Sequence, residues 1–240
     1  MSKVAVVTGA SRGFGRAIAR RLAQDGFVVV VSYLRDAAEA NGLVAEIIRM
    51  GGDARAIKAD VANQFWVKSF FEEIAKALGR IDVVVNNAQV LPLQPFDEPG
   101  NENEAMSTNL RGTFLVLAQA AQRVVDGGRI IVVSSSAQAR SDAAYAPRRA
   151  SEERVEAYLY RLASELREHN VSVNVIACGP DPTGFSLENK TKEQSIHLGK
   201  HGQLERQEQP ADIAGVVSFL AGPDGHLVTS QVLCASSTAA

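Results

Sequence analysis

The stretch Thr8-Gly9-Ala10-Ser11-Arg12-Gly13-Phe14-Gly15 decides the fold. It closes a strand candidate, Val4–Thr8, and opens a helical pattern over about 14–25. Glycines at this point let the chain turn tightly and let a pyrophosphate approach the backbone. A helix starting here offers free N–H groups and the positive end of its dipole. Three glycines alone say little. Set between a buried strand and an amphipathic helix, they have the context that gives the motif its meaning. The bland alternative is a tight turn that binds nothing.

Outward from this loop the same alternation runs to the end of the chain. The further strand candidates are Val28–Ser32, Ala54–Asp60, Ile81–Asn86, Arg129–Ser134, Val171–Ala177 and Gln231–Cys234. Most are continuous Val/Ile runs, as expected of strands covered on both faces. Helical stretches lie between them at about 37–50, 64–79, 103–125, 150–169 and 210–221. In the fifth helical stretch Val155, Leu159, Leu162 and Leu166 recur at helical spacing among Glu152, Glu153, Glu156 and Glu165. Such alternation predicts right-handed crossovers and a doubly wound parallel sheet of seven strands, an α/β fold of three layers, αβα. A ligand then belongs at the carboxyl ends of the strands, near the switch in strand order.

The bulk numbers agree with one domain spanning 1–240. Apolar residues make up 46% of the 240 and charged residues 22%, enough core and too little charge for a disordered chain. The formal net charge of −2 gives no reason to expect nucleic acid as a partner. The opening MSKVAVVTGAS has no basic, apolar and cleavage regions in series, so no signal peptide is expected and the cytosol is the expected location. No apolar run approaches a membrane span. Cys178 and Cys234 are expected to remain thiols in that compartment. His169, His197, His201 and His226 show no metal-ligand spacing and read as surface or loop residues, so no metal is expected.

Thr-Gly-x-x-x-Gly-x-Gly resembles the cofactor motif of the short-chain dehydrogenase/reductase family, a Rossmann-type fold. Other landmarks follow in order. Asp60-Val61 resembles the adenine-contacting pair, and Asn86-Asn87-Ala88 the Asn-Asn-Ala-Gly motif. Asn109 resembles the structural Asn of the catalytic tetrad. Val173-Asn174-Val175 leads into the usual sixth-strand loop, and Pro210-Ala211-Asp212-Ile213-Ala214 resembles the late Pro-Glu-Asp-Ile-Ala helix. The resemblance covers essentially the whole chain. It implies that Gly9, Ser11, Arg12, Gly13, Phe14, Gly15, Tyr33, Arg35, Asp60, Val61, Asn87, Ala88 and Thr183 contact the dinucleotide. It implies a homodimer or homotetramer paired through the fourth and fifth long helices, acting on a small molecule.

NAD-preferring members carry an acid at the end of the second strand. Here that place reads Ser32-Tyr33-Leu34-Arg35, with no carboxylate to repel a 2′-phosphate. Arg12 and Arg35 fall where the family clamps that phosphate, and NADP(H) is the expected cofactor. Two solvated surface arginines are the bland reading.

In the family a Ser, a Tyr and a Lys carry the chemistry. The fifth strand places Ser135 at the Ser, with Ser134 and Ser136 one residue away on either side. Family spacing forward from Ser135 reaches Arg148, and counting back from Glu165-Leu166-Arg167 and Val173-Asn174 reaches the same residue without a gap. The Tyr position is then Arg148 and the Lys position Glu152. The other register uses Tyr145 and needs two compensating indels inside a packed helix; even there Arg149 replaces the Lys, and a guanidinium does not give up its proton. Further departures are Gln89 for the last Gly of Asn-Asn-Ala-Gly, Cys178-Gly179 for Pro-Gly, and Ser236-Ser237-Thr238 for Asp-Gly-Gly.

Reducing a ketone needs a proton at the nascent alkoxide, whereas an iminium is already an electrophile. A site for a cation favours carboxylates, and Glu152 and Asp181 are the candidates. Each has a bland reading, an ion pair with Arg148 for Glu152 and a loop cap between two prolines for Asp181. Pro180-Asp181-Pro182-Thr183 also resembles the loop of the family-derived bifunctional reductase/Diels–Alderases of fungal indole alkaloid pathways. That group lacks the Tyr–Lys pair and keeps NADP(H). This resemblance implies imine reduction coupled to cyclisation, with Ser135, Arg148, Glu152, Asp181 and Asn109 around the reacting centre. A non-redox catalyst that keeps the cofactor as structure, an NADP(H)-binding pseudoenzyme, and a carbonyl reductase using Tyr145 remain open. The polar stretch Phe185–Gln209 is expected to cover the substrate, with Phe185, Leu187, Ile196 and Leu198 lining it.

Overall fold

The computed structural model describes residues 2–90, 102–135, 157–179 and 208–236, the side chains of 102, 105 and 135 excepted. The strands are β1 (Val4–Val7), β2 (Val28–Tyr33), β3 (Asp53–Lys58), β4 (Ile81–Asn86), β5 (Val124–Ser135), β6 (Ser172–Cys178) and β7 (Val232–Ala235). They form one sheet in the order β3-β2-β1-β4-β5-β6-β7. Each neighbouring pair is parallel. The seven-stranded doubly wound sheet expected from the alternation is therefore present. The order reverses between β1 and β4, which opens a crevice above their carboxyl ends.

Continuous Val/Ile runs fill the middle of the sheet because helices cover both faces. Each residue of β1, β4 and β6 is buried. The edge strands β3 and β7 mix exposed and covered positions instead. The helices are α1 (Gly13–Gln24), α2 (Ala37–Arg49), α3 (Gln64–Leu78), α4 (Glu102–Ala105), α5 (Thr113–Arg123), α6 (157–165) and α7 (Pro210–Ala221). Strand period sorts the side chains between the two cores. Val7, Val29, Val85, Val133 and Ile176 face α1, α2 and α7, meeting Ile18, Leu22, Leu43, Ile47 and Ile213. Val6, Val30, Val84, Val132 and Val175 face α3, α5 and α6, meeting Phe71, Ile74, Val116 and Leu159.

Two boundaries differ from the sequence expectation. The helix expected over 103–125 is three segments: α4, a π-helical segment Met106–Gly112, and α5, which ends at Arg123. β5 starts at Val124 rather than Arg129, because Val124 pairs with Ile81 before the register shifts. Gly127, at φ 76, turns the chain within that irregular stretch.

Helix ends show which termini are closed. Asn63 accepts the Phe65 and Trp66 N–H groups at the start of α3. At the start of α7 the Gln209 N–H donates to Asp212 Oδ2 at 2.8 Å. The start of α1 has no such device: Arg12 stands at its N-cap without a side-chain cap hydrogen bond, and no acid occupies the first turn. Among the described residues no helix is long and apolar enough to cross a membrane.

Candidate dinucleotide site

The crevice is built from the end of β1. Thr8 is buried, and its hydroxyl oxygen accepts the N–H groups of Asn87 at 2.9 Å and Ala88 at 3.0 Å. The same hydroxyl lies 3.3 Å from Asn86 Oδ1, toward which its proton points. Asn86 in turn donates to Thr113 Oγ1 on α5 at 2.8 Å. The Asn87 carboxamide donates to the carbonyls of Thr8 and Gly9, each at 3.1 Å. The exit of β4 is thus fastened to the exit of β1 across the switch point by neutral hydrogen bonds.

The loop that follows needs its glycines. Gly9 has φ 63, and a Cβ there would stand 2.8 Å from the Ala88 Cα. A Cβ on Gly15 would stand 2.5 Å from both Asn87 Nδ2 and the Gly9 carbonyl oxygen. Gly13 also has positive φ, 57. Ala10 donates its N–H to the Ser32 carbonyl, which holds the loop against β2. The result is a bare backbone cradle over the uncapped start of α1, which fits a pyrophosphate. The Phe14 side chain packs in the core beside α1.

The other expected cofactor positions lie around this cradle. Ser11 is buried, and Tyr33 ends β2 with its carbonyl accepting the Ala59 N–H. Asp60 Oδ1 accepts the Ala62 N–H at 2.9 Å, and Val61 packs against Gly112 in the π-helical segment. Arg12 and Arg35 are exposed, but each has a carboxylate nearby. Arg12 Nε is 3.9 Å from Asp36, and Arg35 NH2 is 3.6 Å from Glu104. Positions 32–35 carry no acid, as read from the sequence, and the nearest carboxylate along the chain is Asp36, directly after them.

Asn109 is buried in the π-helical segment, with both ends of its carboxamide engaged. Its Oδ1 accepts the Val90 N–H and its Nδ2 donates to the Val90 carbonyl, both at 2.9 Å. Its carboxamide thus ties the π-helical segment to the backbone just beyond β4. Ser135 is the last residue of β5, paired with Cys178 of β6. Ser134 is buried, and among the described residues its hydroxyl has no partner. Cys178 is buried and Cys234 exposed, both unbridged. Arg148, Glu152, Asp181, Thr183 and Tyr145, and the stretch Phe185–Gln207, lie outside the described residues.

The sequence of the family described as enoyl-(acyl carrier protein) reductase matches residues 9–237. An uncharacterised oxidoreductase of Methylorubrum extorquens is 36% identical over 98% of this chain and 96% of its own. Tetrahydroxynaphthalene reductase of Pyricularia oryzae is 32% identical over 96% of this chain and 87% of its own. A short-chain dehydrogenase of Burkholderia cenocepacia, solved with NADP, superposes with a TM-score of 0.92 at 29% identity, covering 98% of this chain and 97% of its own.

The chain belongs to the short-chain dehydrogenase/reductase family. Against that family's pattern, three features of this member were not assigned from sequence. Thr8 is the hub of the strand-end network, although its place in the motif was visible. Gln89 donates to the Val133 carbonyl at 2.6 Å. Glu208 is 3% exposed beside Gly179, with Ser236 Oγ 3.5 Å from its Oε1. Nothing in the polar stretch around Glu208 signals that burial, because its neighbours in space, Gly179 and Ser236, come from just beyond β6 and β7.

Proposed function

We propose that this chain binds NADP(H) and reduces an electrophile that arrives already activated, an iminium or an imine already protonated to one by solvent, with coupled intramolecular cyclisation of the Diels–Alder type as the extension of that chemistry. The observation that supports cofactor binding most is the glycine cradle over the uncapped start of α1, where a Cβ at Gly9 or Gly15 would collide with the β4 exit or the loop itself. Gly9, Gly13 and the first N–H groups of α1 hold the pyrophosphate. Arg12 and Arg35 exchange Asp36 and Glu104 for the 2′-phosphate. When bound, the cofactor supplies a hydride.

The choice of electrophile rests on the gapless register, which puts Arg148 and Glu152 where the family has Tyr and Lys. A ketone reduced there lacks its usual proton donor, a loss of about 10²–10⁴ in rate. Addition of hydride to an iminium carbon neutralises the cation, returns the electron pair to nitrogen and needs no proton from the protein. Glu152 and Asp181 favour the cation before that step. For cyclisation, the pocket walls hold diene and alkene in reacting geometry and reduce the entropic barrier.

A second reading has its own support. The similarity to a tetrahydroxynaphthalene reductase favours ordinary carbonyl reduction, with Tyr145 as the acid. Following NADPH absorbance with a ketone, a cyclic imine and no acceptor separates the two. Turnover confined to the imine, unaffected by Tyr145→Phe, is expected. Ketone turnover lost on Tyr145→Phe would establish the second reading. Tight NADPH binding with no oxidation by either acceptor would leave a pseudoenzyme. The double change Arg148→Tyr with Glu152→Lys is expected to raise ketone reduction.

A further inference from the structure

Four consecutive residues at the β4 exit are each tied to another element. Asn87 and Ala88 bond to Thr8 and Gly9 on the β1 side. Val90 bonds through both its N–H and its carbonyl to Asn109 in the π-helical segment. Gln89 supplies the remaining tie, across the floor of the crevice to β5. The β4–β5 ladder ends at the pair Asn86–Val132, so the Val133 carbonyl is the next acceptor beyond it. The Gln89 side-chain N–H reaches that carbonyl at 2.6 Å and extends the pairing past the point where the backbones part.

We propose that Gln89 is a positioning residue for the dinucleotide, acting through the Asn87–Val90 segment. This rests on the nucleotide reading above. The segment forms the wall against Gly9, where even a Cβ would stand 2.8 Å from the Ala88 Cα. Three of its residues are held by ties that involve β1 or the π-helical segment. The β5 side is held by the Gln89 carboxamide, at the strand whose end carries Ser135. A half-buried neutral hydrogen bond of this kind orders the segment without adding charge to the crevice. Loss of the donor frees the β5 side first and leaves the loop around Arg12 in place. The nicotinamide half of the ligand then senses the change more than the adenine half does.

Gln89→Met keeps the bulk and removes the donor, and Gln89→Gly removes both. Each is titrated with NADPH, read by its own fluorescence, and with 2′,5′-ADP, which carries the adenine half alone. Expected for Gln89→Met is about fivefold weaker NADPH binding, the effect of one lost hydrogen bond, with a reduced emission change. Its affinity for 2′,5′-ADP is expected to match the unchanged protein. Equal weakening for both probes, or no weakening for either, overturns the proposal. A Gln89→Gly protein that binds NADPH as well as the unchanged protein also overturns it. If the unchanged protein binds neither probe, the nucleotide reading itself fails, a result distinct from a failure at Gln89.

Discussion

The two ends of the sheet solve opposite problems with different chemistry. At the amino end charges neutralise one another. Asp82, buried, accepts the Val4 N–H at 2.9 Å and Arg80 Nε at 2.8 Å. At the end of α1, Asp25 accepts Arg21 Nε at 3.0 Å and the Ser218 hydroxyl at 2.6 Å. At the carboxyl ends of β1 and β4, around the crevice, the ties are hydroxyls and carboxamides: Thr8, Asn86, Asn87, Gln89 and Asn109. A neutral framework holds backbone in place without competing for an anion, and the dipole of α1 is left for that anion. The amino end fastens the strands; the carboxyl end fastens them and leaves a place for a ligand.

The sharpest way to break this contrast is to fill the cradle. Gly15→Val puts carbon within 2.5 Å of Asn87 Nδ2 and the Gly9 oxygen. Loss of NADPH affinity by about a hundredfold or more is expected by titration, since backbone on one side and a tethered carboxamide on the other leave little room to yield. Thr8→Val is next. It preserves shape and removes the acceptor of two N–H groups, for an expected stability loss of about 2 kcal/mol in denaturant unfolding together with weaker NADPH binding. Asp82→Ala tests the other end. It leaves the buried Val4 N–H without its acceptor, at an expected cost of about 1–3 kcal/mol. NADPH affinity of the folded Asp82→Ala protein is expected to be unchanged. If affinity fell with it as far as with Thr8→Val, the two ends would not be separable.

Much of this division was legible before any coordinates. The β4 boundaries, Ile81–Asn86, follow from the run Val83-Val84-Val85 with Ile81 before it, and all six residues are buried. The glycine loop was legible because three positions without a Cβ constrain the backbone so strongly. What escaped depends on contacts between distant segments. Phe14 sits in a motif that binds through backbone, so its sequence position does not show that its ring enters the core. The π-helical segment around Asn109 keeps a helical apolar pattern, and periodicity does not register one extra residue in a turn. The early start of β5 depends on Ile81 finding Val124, a pairing no local pattern encodes. Glu208 reads as one more polar residue until β6 and β7 close around it.

The smallest expected effect concerns the two arginines, where the contrast between the ends is least complete. Arg12 and Arg35 already have acidic neighbours, at 3.9 and 3.6 Å, as the charged groups of the amino end do. The difference is exposure. Asp82 has 8% side-chain exposure, whereas Arg35 has 80% and Glu104 49%. An exposed pair of this kind contributes about 0–1 kcal/mol, so giving it up for a phosphate costs little. Arg35→Ala is therefore expected to weaken NADPH binding by about tenfold while leaving NADH nearly unchanged, because a phosphate contact by a guanidinium is the stronger of the two. Asp36→Asn should act in the opposite direction. It relieves the competition at Arg12 and raises NADPH affinity by about twofold, with the gain shrinking as salt is added. Parallel titrations with both dinucleotides at two salt concentrations check each arm. An Arg35→Ala protein that lost NADH and NADPH affinity equally would show that the residue serves the pyrophosphate or the fold, and the cofactor preference would then have to come from another part of the crevice.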